Sequence, residues 1–154
     1  YRPRTYLSTG YQGTLGWGYP TALGAKCANP DRAVVAVHGD GGFMFGVQEM
    51  ATAVRHNIGV VALVFNDNAY GNVKRIQQTN YAGRTVASDL TNPDFVKLAE
   101  SFGMRSQRVT TPQALRPALK AAIKANAPAL IEIPVGEFPD PWSFFFRKKV
   151  RGAA

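Results

Sequence analysis

Two short polar turns, each ending an apolar run, hold the residues best suited to chemistry. The first is His38-Gly39-Asp40-Gly41-Gly42-Phe43, after the run Ala33 to Val37. The second is Phe65-Asn66-Asp67-Asn68-Ala69-Tyr70-Gly71, at the end of the run that starts at Val60. Glycines let the backbone approach an anion, and the N–H groups of such a turn, with the helix N-terminus that follows, favour phosphate oxygens. Asp40 alone would repel a bare phosphate. A divalent cation between them removes the conflict, because a hard ion such as Mg²⁺ takes carboxylate and phosphate oxygens together. The second turn adds carboxylate, amide and backbone oxygens, and two adjacent strand ends can share one metal. Taken singly, either turn is equally well explained as loop closure, for which Asn, Asp and Gly are suited.

Bringing both turns to one place requires parallel strands, since ligands of parallel sheets bind at the carboxyl ends of the strands. The sequence alternates helices with short β-rich runs, which predicts an α/β fold with a parallel sheet flanked by helices. The expected strands are 33–37, 60–66, 105–109 and 129–134, with 60–66 the most continuously apolar and the most central. Helices are expected at 20–28, with Pro20 in the first turn, and at about 47–56, with Val47, Met50, Ala51 and Val54 on one face. A third, capped by Asn92-Pro93, buries Phe95, Leu98, Ala99 and Phe102 and stops at Gly103. A fourth, capped by Thr111-Pro112, buries Leu115, Ala118, Leu119, Ala122 and Ile123. From Phe138 onward, prolines, Trp142 and Phe144-Phe145-Phe146 break all periodicity, and this aromatic tail needs something to pack on.

The 154 residues are 45% apolar and 18% charged, a globular composition of about one domain. No apolar run approaches the ~20 residues of a membrane-spanning helix. Cys27 is the single cysteine, expected buried; it allows no internal disulfide and points to a reducing, cytoplasmic setting. The start at Tyr1-Arg2-Pro3, without Met, reads as the beginning of a fragment or of the ordered part of a longer chain. The net charge is +8, but Arg147, Lys148, Lys149 and Arg151 crowd into the last residues as a solvated tail. No nucleic-acid-binding motif accompanies them.

Together, Gly39-Asp40-Gly41 and Asn66-Asp67 resemble the bipartite GDG…NN signature of thiamine-diphosphate enzymes, at that family's interval. The stretch from Pro3 to Pro20 and the segment ending at Trp142 are similar to the acetolactate synthase branch. The resemblance implies a thiamine-diphosphate-binding fold over residues 1–142, truncated at its N-terminus, with 143–154 a basic aromatic tail. It implies Mg²⁺ ligation by the side chains of Asp40 and Asp67 and the backbone carbonyl of Ala69. Thiamine diphosphate would lie against Gly13, Leu15, Gly39, Asp40, Gly41, Gly42, Asp67, Tyr70 and Gly71. In this role Leu15 wedges the two cofactor rings into a V, and the Gly13 carbonyl accepts from the aminopyrimidine. The bend brings the cofactor's imino group to the thiazolium carbon that must lose its proton. Without that role, Leu15 is a loop anchor between glycines.

The family's catalytic carboxylate, at N1′ of the pyrimidine, comes from a separate pyrimidine-binding domain of the same enzyme or another subunit. This implies a homodimer or homotetramer that decarboxylates or ligates 2-oxo acids. The chain departs from the family at Asp67, where Asn is usual. It departs again at Ile76, where acetohydroxyacid synthases carry Trp, and at Val73, where pyruvate decarboxylases carry Glu. Asn72, Lys74, Arg75 and Gln77 either line a substrate mouth or form a solvated helix face. His38 either faces the cofactor or is structural, and His56 is placed at a helix C-terminus. Two other readings compete. A nicotinamide-binding Rossmann domain needs G-x-G-x-x-G, whose third glycine is Met44 here, and a non-enzymatic basic module docking on an anionic partner rests only on charge and the tail.

Overall fold

A computed structural model describes residues 3–136. The basic aromatic tail and the segment from residue 137 to Trp142, expected to close the domain, lie outside the described residues. Four parallel strands form one sheet in the order β1-β2-β4-β3: β1 (Val34–Gly39), β2 (Val60–Asn66), β4 (Ala129–Pro134) and β3 (Arg105–Arg108). The central strands β2 and β4 are each buried over their first five residues, because helices cover both faces of the sheet there.

Alternation along β2 divides the core. Val60, Ala62 and Val64 face Tyr19, Leu23, Phe43, Met50, Ala53, Phe95 and Ala99, from helices α1 (Gly18–Ala28), α2 (Asp40–Met44), α3 (Glu49–Arg55) and α5 (Phe95–Ser101). Val61 and Leu63 face the other way, onto Ala118, Leu115 and Leu119 of α6 (Pro112–Ala125). Side chains such as Leu130, at 0% exposure, each contribute roughly 1.5–3 kcal/mol by burial. On the α6 side, Val35 and Val37 of β1 remain 37% and 67% exposed, and the outer edge of β1 pairs with no described strand.

Several expectations change. β1 runs past its last valine to Gly39, because pairing with β2 continues to Gly39 opposite Phe65. A helix follows at once, at Asp40. Helix α1 begins at Gly18, two residues before Pro20, which is still within the first turn, where a missing N–H costs no intrahelical bond. Helix α3 turns Ala53 inward, not Ala51. Ile123, in the last turn of α6, is 37% exposed, and Cys27 is exposed rather than buried. His56 is the C-cap of α3 as expected. Helix α4 (Gly71–Asn80) buries no residue and leaves no apolar stripe in the sequence.

The cap of α5 is Asp94, not Asn92: its Oδ1 accepts from Val96 N at 3.0 Å and Lys97 N at 3.2 Å, and pairs with Arg108 at 3.0 Å. The Lys97 N–H first, then Arg108, hold the Asp94 carboxyl below its usual range. A depressed folded value means that the stabilisation is full above about pH 4 and is lost as pH falls through the lower folded value. Asp94→Ala is therefore expected to lower the thermal midpoint at pH 7, with the gap to wild type shrinking in acid. Thermal unfolding of both proteins across pH 7 to 3 checks this.

Candidate active site: a carboxylate pair at adjacent strand ends

The parallel register sets Gly39 beside Phe65, so the chain leaves β1 at Asp40 next to where it leaves β2 at Asn66 and Asp67. Asp40 is the first residue of α2 and is 1% exposed. Gly41 is required by close approach: a Cβ there would lie 2.5 Å from the Tyr70 ring and 3.1 Å from Leu90. The carbonyl of Gly42 accepts from Gly16 N at 3.2 Å, and Leu15 lies 3.5 Å from the place of a Gly42 Cβ. The segment through Leu15 is thereby laid over the start of α2, with the Leu15 side chain 49% exposed and lining a cleft of about 860 Å³. Gly13 ends a short 3-10 turn (Gly10–Gln12) in the left-handed region at φ 57°, with open space where a Cβ would lie.

The β2 turn is built by its own side chains. Asn66 Oδ1 accepts from Asn68 N and Asp67 Oδ1 from Ala69 N, both at 3.2 Å, and Asn68 sits at φ 55°, a conformation Asn tolerates. Gly71 leaves room for Asp67, whose Oδ2 would be 2.6 Å from a Cβ at that position. Burial first, and the neighbouring Asp40 carboxylate second, raise the Asp67 carboxyl above its ordinary range. A cation between the two would favour the charged form of Asp67.

The segment Ser88–Asn92 straps this turn. Tyr70 N donates to Ser88 O and Leu90 N to Asn68 O, each at 2.8 Å, making an antiparallel bridge of Ala69 with Asp89. In such a bridge the flanking residues carry the hydrogen bonds, so the carbonyl of Ala69 points away from the strap. Asn92 Nδ2 reaches Asp40 Oδ2 at 2.5 Å, Asn66 Oδ1 at 3.0 Å and Asn68 Oδ1 at 3.4 Å. Beneath, Asn66 Nδ2 donates to Glu132 Oε1 at 2.9 Å, and Glu132 Oε2 pairs with Arg108 at 2.8 Å.

The sequence reading missed Asn92 and Glu132. Glu132 did leave a signal: it is the one charged residue in the apolar run Ala129-Leu130-Ile131-Glu132-Ile133, and a carboxylate in a strand covered on both faces needs a partner.

The donors gathered here are carboxylate, amide and carbonyl oxygens, the set a hard divalent cation takes with phosphate oxygens. Among the described residues no group of three or more His, Cys, Asp or Glu offers a different metal site. His38 packs in an aromatic cluster with Tyr19 and Phe43, at centroid distances of 6.1 and 5.4 Å, and borders the cleft; burial lowers its pKa to about 4 and keeps the ring neutral. On α4, Lys74 pairs with Asp89 of the strap at 2.6 Å, and Gln77 exchanges two hydrogen bonds with Val86, just before the strap. Arg75 donates to Asn72, and Val73 and Ile76 are exposed beside them.

Residues 1–133 match the family described as thiamine pyrophosphate enzyme, C-terminal TPP binding domain. The chain is 41% identical over 134 residues to a probable acetolactate synthase large subunit of Methanococcus aeolicus, covering 86% of this chain and 22% of the relative. To the acetolactate synthase of Bacillus subtilis it is 42% identical over 135 residues, covering 88% and 24%. Among solved structures, a thiamine diphosphate-dependent 4-hydroxybenzoylformate decarboxylase of Rhodococcus jostii RHA1 superposes with a TM-score of 0.77 at 36% identity, over 83% of this chain and 24% of that one. The chain thus spans about a quarter of the length of these relatives. Neither the nicotinamide reading nor the basic-module reading finds support in these matches, and the chain belongs to the thiamine pyrophosphate enzymes as their C-terminal TPP binding domain.

Proposed function

We propose that this chain supplies the diphosphate-and-magnesium half of a thiamine-diphosphate enzyme acting on 2-oxo acids, by decarboxylation, carboligation or both. The observation that carries the reading is the meeting of Asp40 and Asp67 at the ends of adjacent strands, in glycine-containing turns. Asp40, Asp67 and the Ala69 carbonyl would hold Mg²⁺. The glycines at 39, 41, 42 and 71, with Tyr70, would surround the diphosphate, and Leu15 and Gly13 the rings. When bound, the cofactor supplies the electron sink that decarboxylation of a 2-oxo acid requires.

The family match and the acetolactate synthase relatives support this assignment, while Ile76 and Val73 leave α4 without the side chains that mark two specificities. The domain of residues 1–142 works with a pyrimidine-binding domain that brings the catalytic carboxylate, in a homodimer or homotetramer. The single cysteine suits a cytoplasmic enzyme. No helix among the described residues is long and apolar enough to cross a membrane.

Calorimetric titration of thiamine diphosphate into the full-length protein tests the reading, with Mg²⁺ and then with chelator, and with NAD as control. Heat that appears only with Mg²⁺ is expected. Equal binding of NAD, or no Mg²⁺-dependent heat, would overturn it.

A further inference from the structure

We propose that Glu132, Asn66 and Asn92 form a positioning relay that sets the orientation of Asp40 in the cation cradle. The proposal rests on the reading of Asp40 as a ligand of Mg²⁺ and extends it to residues that touch neither cation nor cofactor.

The direction of each hydrogen bond follows from the ends. Glu132 is 2% exposed, in the middle of β4; Arg108 donates to its Oε2 through both Nε and a terminal nitrogen at 2.8 Å. The other oxygen, Oε1, can only accept, so Asn66 must turn its Nδ2 towards it, at 2.9 Å. That orientation fixes the opposite end of the Asn66 amide: Oδ1 faces the cradle, where it accepts from Asn68 N and from Asn92 Nδ2.

Asn92 Nδ2 lies within reach of three acceptors, and its two hydrogens go to the nearer two, Asp40 Oδ2 at 2.5 Å and Asn66 Oδ1 at 3.0 Å, ahead of Asn68 Oδ1 at 3.4 Å. With Oδ2 held, the second oxygen of Asp40 is the one left for a metal. Carboxylates that ligate metals are commonly held in this way by hydrogen bonds to the other oxygen, and the loss of such a partner weakens metal binding by about 10–100-fold. The relay links residues far apart in sequence, from β4 through β2 and the strap to the end of β1.

Glu132→Gln separates orientation from bulk. The cation of Arg108 retains the one remaining oxygen, so the new amide nitrogen faces Asn66 and the Asn66 amide reverses. Its Nδ2 then meets Asn92 Nδ2, donor against donor. Asn92→Ala removes the last link directly.

The test measures the Mg²⁺ dependence of thiamine diphosphate binding by calorimetry on the full-length protein, for wild type, Asn92→Ala, Glu132→Gln, the double variant and Asp40→Ala. Thermal midpoints are recorded in chelator. Each single variant is expected to weaken apparent Mg²⁺ affinity by about tenfold or more. The double variant should be no weaker than the weaker single within about threefold, because both cut one chain.

Wild-type Mg²⁺ affinity in either single variant overturns the relay. So does a double variant whose losses multiply, since independent structural damage adds in free energy while a relay is broken once. If Glu132→Gln does not fold, Asn66→Ala cuts the middle link and takes its place in the cycle. Absence of Mg²⁺-dependent binding in wild type, or its persistence in Asp40→Ala, overturns the cofactor reading itself, which the relay variants alone do not touch.

Discussion

Asp40→Ala is expected to abolish Mg²⁺-dependent binding of thiamine diphosphate, by more than about 100-fold, beyond what outer-shell partners of a metal contribute. Asp40 is one of two carboxylates at the cradle and the more deeply buried, and no other acidic side chain among the described residues stands near enough to replace it. Stability without metal should change little, because two effects oppose. The variant loses the hydrogen bond from Asn92, but it also relieves Asp67 of a neighbouring negative charge that raises the Asp67 carboxyl. Calorimetric titration together with thermal unfolding in chelator separates the two. A variant that keeps Mg²⁺-dependent binding, or one that is unfolded in chelator, contradicts this account.

Gly59→Ala should cause a large loss of stability with no direct effect on the site. Gly59 is buried just before β2, and a Cβ there would come within 2.6 Å of the backbone oxygen and 2.7 Å of the carbonyl carbon of Asn126. A flexible side chain could step aside, but this obstacle is main chain. Asn126 caps α6 in the left-handed conformation at φ 45°, its N–H bonded to Ile123 O, and the chain then enters β4. Relief requires β2 and the end of α6 to move apart, an overpacking of the kind that costs about 1–3 kcal/mol or somewhat more. For a domain of this size that corresponds to a fall in melting temperature on the order of 3–12 °C, readable by calorimetry or circular dichroism. A midpoint within a degree of wild type would mean that this junction is looser than its geometry.

What the sequence revealed follows from how local each feature is. The strands at 60–66 and 129–134 were legible to the residue, since runs that are apolar up to a final Asn66, or apolar but for Glu132, need no knowledge of their neighbours. β1 was read short, because pairing with β2 carries the strand through His38 and Gly39, which have no strand signature of their own. Helix α2 was hidden by two glycines in five residues; tertiary packing of Phe43, at 1% exposure, overrides their low propensity. The two acidic turns were legible as a pair, because glycine and carboxylate chemistry is written in types and spacing. Asn92 was not. Beside a proline it reads as a helix cap, and only the folded chain shows that its amide is drawn to Asp40, while Asp94 two residues later does the capping.

The outer edge of β1, which pairs with no strand among the described residues, has a consequence of a different kind. A row of unpaired N–H and C=O groups, flanked by two outward valines at 35 and 37, is a template on which any extended chain can add itself as a strand. Native edges are usually protected by charge, proline or a bulge, and the run Val34-Val35-Ala36-Val37 has none of these. Handled alone and concentrated, the described residues 3–136 therefore carry an aggregation hazard at the strand that leads into Asp40. Self-association there would press against the face of β1 that lines the cleft, and protein would be lost to clumping before any residue of the cradle had failed.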